Sequence, residues 1–362
     1  MAARMHALSR FRRRPASLVG VDIGSSAVKA VELTRCAGGG MAARAGVRPV
    51  PPMSIVEGAI VARDGVADAV RSLLEATGIR GREVALSLPG SAVVAREITM
   101  PRMGPAELAG SIVWEAERHI PYDLQDVNLD YQVVGREDDA GGKPAMTVLL
   151  AAAKKATIAE YAAAIAAAGC VPAVVDVAAF ALQNAYAMDG GPADGRSVAL
   201  LDAGASTTNI NIVRSGRSVL TRDIPAGGNA YTDALRSAHG LSFAQAERLK
   251  RGTAGGEQPG EHEAVVREVT EHLLLEVEKT FDFFTASRSS DRLDRIVLSG
   301  GASLGRELAA AMAGRFGVPL ERFDPFRNIT LDDASGAEGD PAGVAATAGV
   351  ATGLALRRAG DR

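Results

Sequence analysis

The sequence predicts an α/β protein of two similarly folded domains, with a smaller module inserted into the first. Short apolar runs of strand length alternate with segments of helical period along the chain. One stretch, 18–33 (LVGVDIGSSAVKAVEL), returns about half a chain later as 197–213 (SVALLDAGASTTNINIV). The length of 362 residues also exceeds what one hydrophobic core usually organises.

The first copy reads as a β-hairpin. Leu18, Val19 and Val21 form an apolar run that Asp22 interrupts, Gly24-Ser25-Ser26 turns, and 27–33 resumes a strand pattern around Lys29 and Glu32. Gly24 permits close backbone approach, so the amides of Ser25, Ser26 and Ala27 can point at a phosphate. Asp22 suits a magnesium-bound water, because Mg²⁺ keeps most of its waters and takes few carboxylates. Lys29 lies seven residues on and can return across the hairpin to the same phosphates.

Composition narrows the function class. The chain is 47% apolar and 23% charged with a net charge of −3, which argues against a general nucleic-acid binder. Cys36 and Cys170 make neither a disulfide framework nor a CxxC site, and both are expected as small buried hydrophobes. The histidines His6, His119, His239, His262 and His272 show no metal-binding spacing. The longest small-apolar run, 343–356, is 14 residues, short of the roughly 20 needed to span a bilayer. Residues 1–14 carry five arginines but no apolar core, so they read as a basic tail rather than a signal peptide. Attraction of that tail to anionic lipid, at about 1 kcal/mol per basic residue, is the sharper alternative.

In chain order, 36–52 reads as strand ends and loop, 66–77 as a helix closed by Gly78, and 83–88 as a strand ended by Pro89-Gly90. A strand (93–98), a helix (105–119), a strand (128–134), a polar turn (136–143) and a strand (145–153) then form the inserted module. An alanine-rich helix (157–168), a strand (171–175) and a helix (178–188) lead to a linker at 190–195. After the second hairpin come helices at 229–238 and 243–250, the latter with Ser242 as N-cap. A loop (252–260) precedes a long helix with Val266, Val269, Leu273, Val277, Phe281 and Phe284 on one face. The strand 295–298 runs into Gly300-Gly301 and a helix at 304–316, a turn open to close backbone approach by an anion.

The two hairpins share Asp-x-Gly-x-Ser: Asp22, Gly24 and Ser26 match Asp202, Gly204 and Ser206. Each domain thus offers one phosphate loop and one carboxylate to a shared cleft. The division that follows is a tail at 1–17, a first domain of 18–92 and 170–192, and an inserted subdomain at 93–169. The second domain is 196–230 with 292–356, and 231–291 is its helical subdomain.

Two such hairpins followed by a strand with a Gly-Gly turn resemble the actin-like ATPase superfamily, whose fold is a duplicated ribonuclease-H-like pair of domains. The resemblance implies that Asp22, Gly24, Ser25, Ser26 and Lys29 form the first phosphate loop and Asp202, Gly204, Ala205, Ser206 and Thr207 the second. It places Gly300, Gly301 and Ala302 against adenine and ribose, and matches Glu247 and Lys250 (AExxK) to residues around the ribose and base. An exposed helical turn is the alternative for that last pair. Within the superfamily, GVDIGSSAVKAVEL, WEAERHIPYDLQDVNLDYQVVG, VDVAAFALQNAY, LSGGASLGRELAAAMAGRFGVPLERFDPF and ATGLALR resemble the PilM family over nearly the whole chain. Its FtsA-type inserted subdomain falls at 93–169, and the end of this sequence shows no amphipathic membrane helix of the FtsA kind.

The family resemblance implies a cytoplasmic adaptor, peripheral to the inner face of the membrane, that binds ATP with Mg²⁺. Its expected partners are the N-terminal cytoplasmic peptide of a bitopic PilN-like protein, the pilus motor ATPases and the platform protein, with self-association possible and no nucleic acid. Asp22 and Asp202 are the expected holders of magnesium, with Asp176 a third catalytic candidate at a strand end facing the cleft. No glutamine or glutamate stands out to orient an attacking water, so ATP hydrolysis is expected to be slow at most. The rivals are a filament-forming FtsA or MreB relative and a small-metabolite kinase on the same fold.

Overall fold

The computed structural model describes residues 18–361 apart from 37–38, 137–141, 192–194, 253–258, 288–291 and 333–340. The basic tail and the centre of the polar turn at 136–143 therefore lie outside the described residues.

The first half opens with β1 (Val19–Ile23), β2 (Ala27–Arg35) and β3 (Met41–Pro49), a meander in which β2 pairs antiparallel with both neighbours. Every residue of β1 is buried, Asp22 included, as expected of a strand covered on both faces. β3 corrects the expectation of a loop at 36–52. Its Ala43 and Ala45 are core residues despite their size, and Thr77 and Leu73 press directly against Gly46, so small residues here admit a helix rather than break a strand. A short pair, β4 (Ile55–Val56) and β5 (Ala59–Ile60), precedes that helix, α1 (Arg63–Ala76), which buries Val66, Val70, Leu73 and Leu74 against the sheet. β6 (Glu83–Leu88) then pairs parallel with β1.

The inserted module comprises β7 (Val93–Pro101), α2 (Pro105–His119), β8 (Val127–Gly135) and β9 (Ala145–Lys154), forming a separate sheet ordered β7-β9-β8. Leu108, Ile112 and Ala116 of α2 close one face of this sheet over Ile98, Met100, Val148 and Leu150. The chain returns through α3 (Lys155–Ala167), β10 (Val171–Val177) and α4 (Ala178–Met188), with β10 completing one edge of the first sheet.

The second half repeats the first. β11 (Ser197–Ala203), β12 (Thr208–Arg214) and β13 (Arg217–Ile224) form the same antiparallel meander, β13 being a strand the sequence reading passed over. α5 (Gly228–His239), α6 (Phe243–Lys250) and α7 (Pro259–Ser287) follow, and α6 starts at Ser242 with a capping box closed by Gln245. Next come β14 (Leu293–Ser299), α8 (Arg306–Phe316), β15 (Leu320–Arg322), β16 (Ile329–Leu331), α9 (Pro341–Thr347) and α10 (Gly349–Ala355). The second sheet is ordered β13-β12-β11-β14-β15, and the first contains the matching series β3-β2-β1-β6-β10. Strand directions agree at each step, with two antiparallel and two parallel pairings in both series. The repeated hairpin is thus the visible part of a repeated sheet.

The later part of the segment 292–356 leaves the second sheet, in which β14 and β15 remain. β16 pairs with β3 and gives the first sheet a sixth strand, and α10 packs between β1 and α4. The contact is made by the small-apolar run noted in the sequence. A Cβ at Gly353 would fall 1.7 Å from the Ala181 carbonyl, and one at Gly20 would fall 2.0 Å from that of Ala351, so helix lies on helix and on strand almost backbone to backbone. Cys170 is buried as expected, but Cys36 is exposed, because it follows β2 out of the sheet.

Candidate functional site

Asp22 and Lys29 face each other across the β1–β2 register, and Asp202 faces Asn209 across β11–β12 in the same way. Gly24 donates its amide to the Ala27 carbonyl at 3.1 Å, and Gly204 donates to Thr207 at 2.9 Å, so both turns close over three residues. The Asp-x-Gly-x-Ser spacing is therefore the geometry of one hairpin built twice.

Asp22 is a buried carboxylate with two donors. Lys29 Nζ lies 2.9 Å from Oδ2, and Ser87 Oγ, at the end of β6, donates to Oδ1 at 3.0 Å. Burial disfavours the Lys29 ammonium, but Asp22 and Asp202 outweigh it and hold the Lys29 pKa above its ordinary value. Asp202 is pushed up to about 6, first by burial and then by the charge of Asp22, with Lys29 pulling the other way and Asp223 adding to the rise. The two carboxylates and the lysine are thus one electrostatic unit, although they come from different sheets.

Asp223 and Asn209 extend this unit and escaped the sequence reading. Asn209 Nδ2 donates to Asp223, whose pKa burial raises. The Oδ1 atom of Asn209 is buried without a hydrogen-bond partner. The Asp223 carboxylate also lies against Gly90, 2.3 Å from where a Cβ would be, at the joint leading into the inserted module. The missed signal was the strand-length segment 217–224 directly after the second hairpin, which carries Asp223 next to the buried Ile224.

The second turn is held from behind by α5. Gly228 and Asn229 donate their amides to the carbonyls of Gly204 (2.9 Å) and Ala205 (2.7 Å), and Asn229 Nδ2 reaches Ser206 Oγ at 3.2 Å. Lys250 Nζ meets Gly228 O at 3.1 Å and Thr232 Oγ1 at 2.8 Å, and it also bonds Glu247, which accepts from Thr232 as well. Glu247 and Lys250 are therefore a partly buried bridge from α6 to the start of α5, not an exposed helical turn. Burial works against the Glu247 carboxylate, but these hydrogen bonds outweigh it and lower its pKa.

Gly300 closes the third corner. Its φ is +89°, and a Cβ there would lie 2.4 Å from Ala203 O and 2.6 Å from Asp202 Oδ1. Glycine is required both by the backbone and by the carboxylate beside it. Gly301, Ala302 and Ser303 follow in a single 3-10 turn, which delays the start of α8 to Arg306.

Asp176 does not join this group. It accepts from the Val177 amide at 2.7 Å and is paired with Arg357 at 3.4 Å, and the charges acting on it are Arg357 and Asp361 rather than Asp22 or Asp202. Its role is to tie β10 to the segment after α10, because the chain beyond α10 places Arg357 there.

For magnesium, the donor set is two carboxylates from facing hairpins, and among the described residues no hydrogen bond contributes to the Asp202 carboxylate's electrostatics. No cluster of three or more His, Cys, Asp or Glu ligands occurs among the described residues. Two carboxylates fit a Mg²⁺ that keeps most of its waters rather than a metal caged by protein.

Two matching sheets, each with a carboxylate hairpin at its centre and joined through α4, define a protein of the actin-like ATPase fold. A family model described as type IV pilus assembly protein PilM matches residues 20–359. The chain belongs to that family. The solved PilM-PilN type IV pilus biogenesis complex contains a chain similar over 95% of this one and 99% of its own length, with a TM-score of 0.82 and 28% identity. The ethanolamine utilization protein EutJ from Carboxydothermus hydrogenoformans matches 95% of this chain and 91% of its own at a TM-score of 0.54 and 16% identity, a likeness of fold alone. No helix among the described residues is long and apolar enough to cross a membrane.

Proposed function

We propose that this protein is an ATP-binding adaptor of type IV pilus biogenesis, which holds the cytoplasmic N-terminal peptide of a bitopic PilN-like protein. The observation that carries the reading is the end-to-end similarity to the PilM-PilN complex, stronger in both fold and sequence than the likeness to EutJ. A filament-forming relative or a metabolite kinase is not favoured.

In this reading, Gly24, Ser25, Ser26, Gly204, Ala205, Ser206 and Thr207 cradle the phosphates with backbone amides and hydroxyls. Lys29 supplies the positive charge. Gly300, Gly301 and Ala302 leave space for the adenosine, and Glu247 and Lys250 border it from α6. Bound Mg²⁺ would supply charge neutralisation between Asp22 and Asp202, relieving the repulsion that lifts the Asp202 pKa. Both carboxylates act on a single ligand from opposite sheets, so nucleotide draws the two halves together. Hydrolysis is slow at most, since the sequence offers no clear glutamine or glutamate to orient the attacking water. The adaptor would connect this peptide to the motor ATPases and platform protein at the inner membrane face.

The test is a titration of the full chain with the N-terminal cytoplasmic peptide of the bitopic protein encoded beside it, with and without ATP and Mg²⁺. Tighter binding with nucleotide is expected. Absence of nucleotide-sensitive binding would overturn the adaptor reading.

A further inference from the structure

The two sheets match strand for strand, except at one place. In the first, the outer edge of β3 is covered by β16, which pairs with it in parallel. In the second, the corresponding strand β13 ends the sheet, and no described strand pairs with its outer side. β13 is eight residues long and seven of them are only half-buried. An edge of that length displays a row of backbone donors and acceptors, which proteins normally cover, shorten or interrupt.

That edge forms the wall of a groove of about 880 Å³. Successive residues from Arg217 to Thr221 line it, so β13 presents its edge rather than one face. The opposite side is the helix-free face of the inserted sheet, where Glu97 and Thr99 of β7 lie beside Leu149 and Thr147 of β9. Phe283, 61% exposed near the end of α7, gives the groove an aromatic end. Three arginines, Arg96, Arg214 and Arg217, line it against one carboxylate, Glu97.

We infer that this groove accepts an extended, acidic peptide segment of a protein partner, which pairs with β13 as the sixth strand of the second sheet. Main-chain hydrogen bonds to β13 supply the affinity, and alternate side chains face the inserted sheet. The excess of arginine selects acidic side chains on the incoming strand and disfavours the arginine-rich residues 1–14 of this same chain. Because one wall belongs to the second sheet and the other to the inserted module, an occupant bridges the two. The inference does not rest on the adaptor reading, and the probe below contains no part of a pilus protein.

The experiment uses the full chain and a fluorescein-labelled peptide matched to β13 in length, alternating valine with glutamate. Controls carry lysine in place of glutamate, or N-methyl groups on alternate amides. Expected results are binding of the acidic peptide, slowed hydrogen exchange at the outward amides of β13, and at least about tenfold weaker binding of both controls. Arg96→Glu, at an exposed position, should weaken the acidic peptide and strengthen the lysine peptide, and Arg217→Glu should do the same if it folds. No binding, or binding that leaves β13 exchange unchanged, overturns the inference. So does protection of β13 that grows with protein concentration and needs no peptide, which would assign the edge to a second copy of the chain.

Discussion

Lys29 and Asn209 occupy the same position in the two copies of the hairpin, each opposite the aspartate one residue before the end of the preceding strand. The duplication is therefore exact in backbone and broken in charge. One ammonium serves two carboxylates, Asp22 at contact and Asp202 through space. Asp202 is left undercompensated, as its raised pKa records, and the behaviour of the site follows from that imbalance.

Asp22→Ala removes the direct partner of Lys29 and the acceptor of Ser87. It should lower unfolding stability by about 2 kcal/mol, less than a fully buried pair because Asp202 still attracts the lysine. ATP affinity measured with Mg²⁺ should fall at least about tenfold, and binding of the bitopic peptide should lose its response to nucleotide. Unchanged ATP affinity would remove Asp22 from the site.

Asp202→Asn should stabilise the nucleotide-free protein, and the gain should depend on pH. The folded pKa of about 6 lies above the ordinary 3.8. Well below pH 3.8 the carboxyl is protonated in both states, and the substitution should have little effect. As pH rises through 6 the unfolded chain ionises more readily than the folded one, so the wild type loses stability that the variant keeps. The difference should approach an upper bound of about 3 kcal/mol at pH 7.5. Urea unfolding at pH 4.5 and 7.5 without nucleotide measures it; a larger gain at the lower pH would reverse the sign and refute the account.

Gly300→Ala forces a side chain into a positive-φ position and against Ala203 O and Asp202. A loss of about 3 kcal/mol is expected by thermal unfolding, with weakened nucleotide binding. Gly301→Ala, where the nearest atom is a Thr347 methyl at 3.7 Å, should be tolerated by the fold and serves as the control.

Lys250→Met breaks the bridge from α6 to Gly228 and Thr232 while keeping the length of the side chain. Glu247 is left without its strongest donor, so its pKa should rise towards the ordinary carboxylate value. A fluorescent ATP analogue should bind about tenfold more weakly while the secondary structure is retained. Full affinity would make the bridge purely structural.

Asp176→Asn addresses a residue whose pairing with Arg357 is structural. The variant should lose about 2 kcal/mol of stability by leaving Arg357 without its buried partner. Whatever ATP turnover the protein has should stay within about twofold of wild type, since Asp176 is not coupled to Asp22 or Asp202. A collapse of turnover with stability intact would restore it to the cleft.

Much of this site is legible in the sequence, because its parts are local. A hairpin specifies its own turn, so Asp22, Gly24 and Lys29 declare themselves within eight residues, and repetition at Asp202 makes the pattern visible. Helix termini were equally local, and Ser242 signalled the start of α6 by a cap that does form. Non-local features were harder. β3 looked like a loop because alanine and glycine carry no strand signal, although a helix packed above requires them. β16 is three residues long and exists by virtue of the edge it covers. Asp176 ended a strand as expected, but its orientation partner lay at Arg357, 181 residues further along by the numbering. Glu247 and Lys250 could be assigned to a bridge only once α5 was placed beneath them.

The chain crosses between its two sheets at α4 and again after β15, and α10, which follows the second crossing, meets α4 where Gly353 rests on the Ala181 carbonyl. Helices normally lock together because side chains of one fill grooves of the other. Here Gly353 removes the side chain at the point of closest approach, while Leu182 of α4 reaches Gly349, and Val350 and Leu354 join Ala181 and Ala185 in one core. The spacing of the two helices is therefore one that only glycine permits at that point. Because α10 also rests on Gly20 of β1, the same spacing sets how α4 lies against the first sheet. A single methyl group at Gly353 would push α10 off α4 without touching any residue of the candidate site.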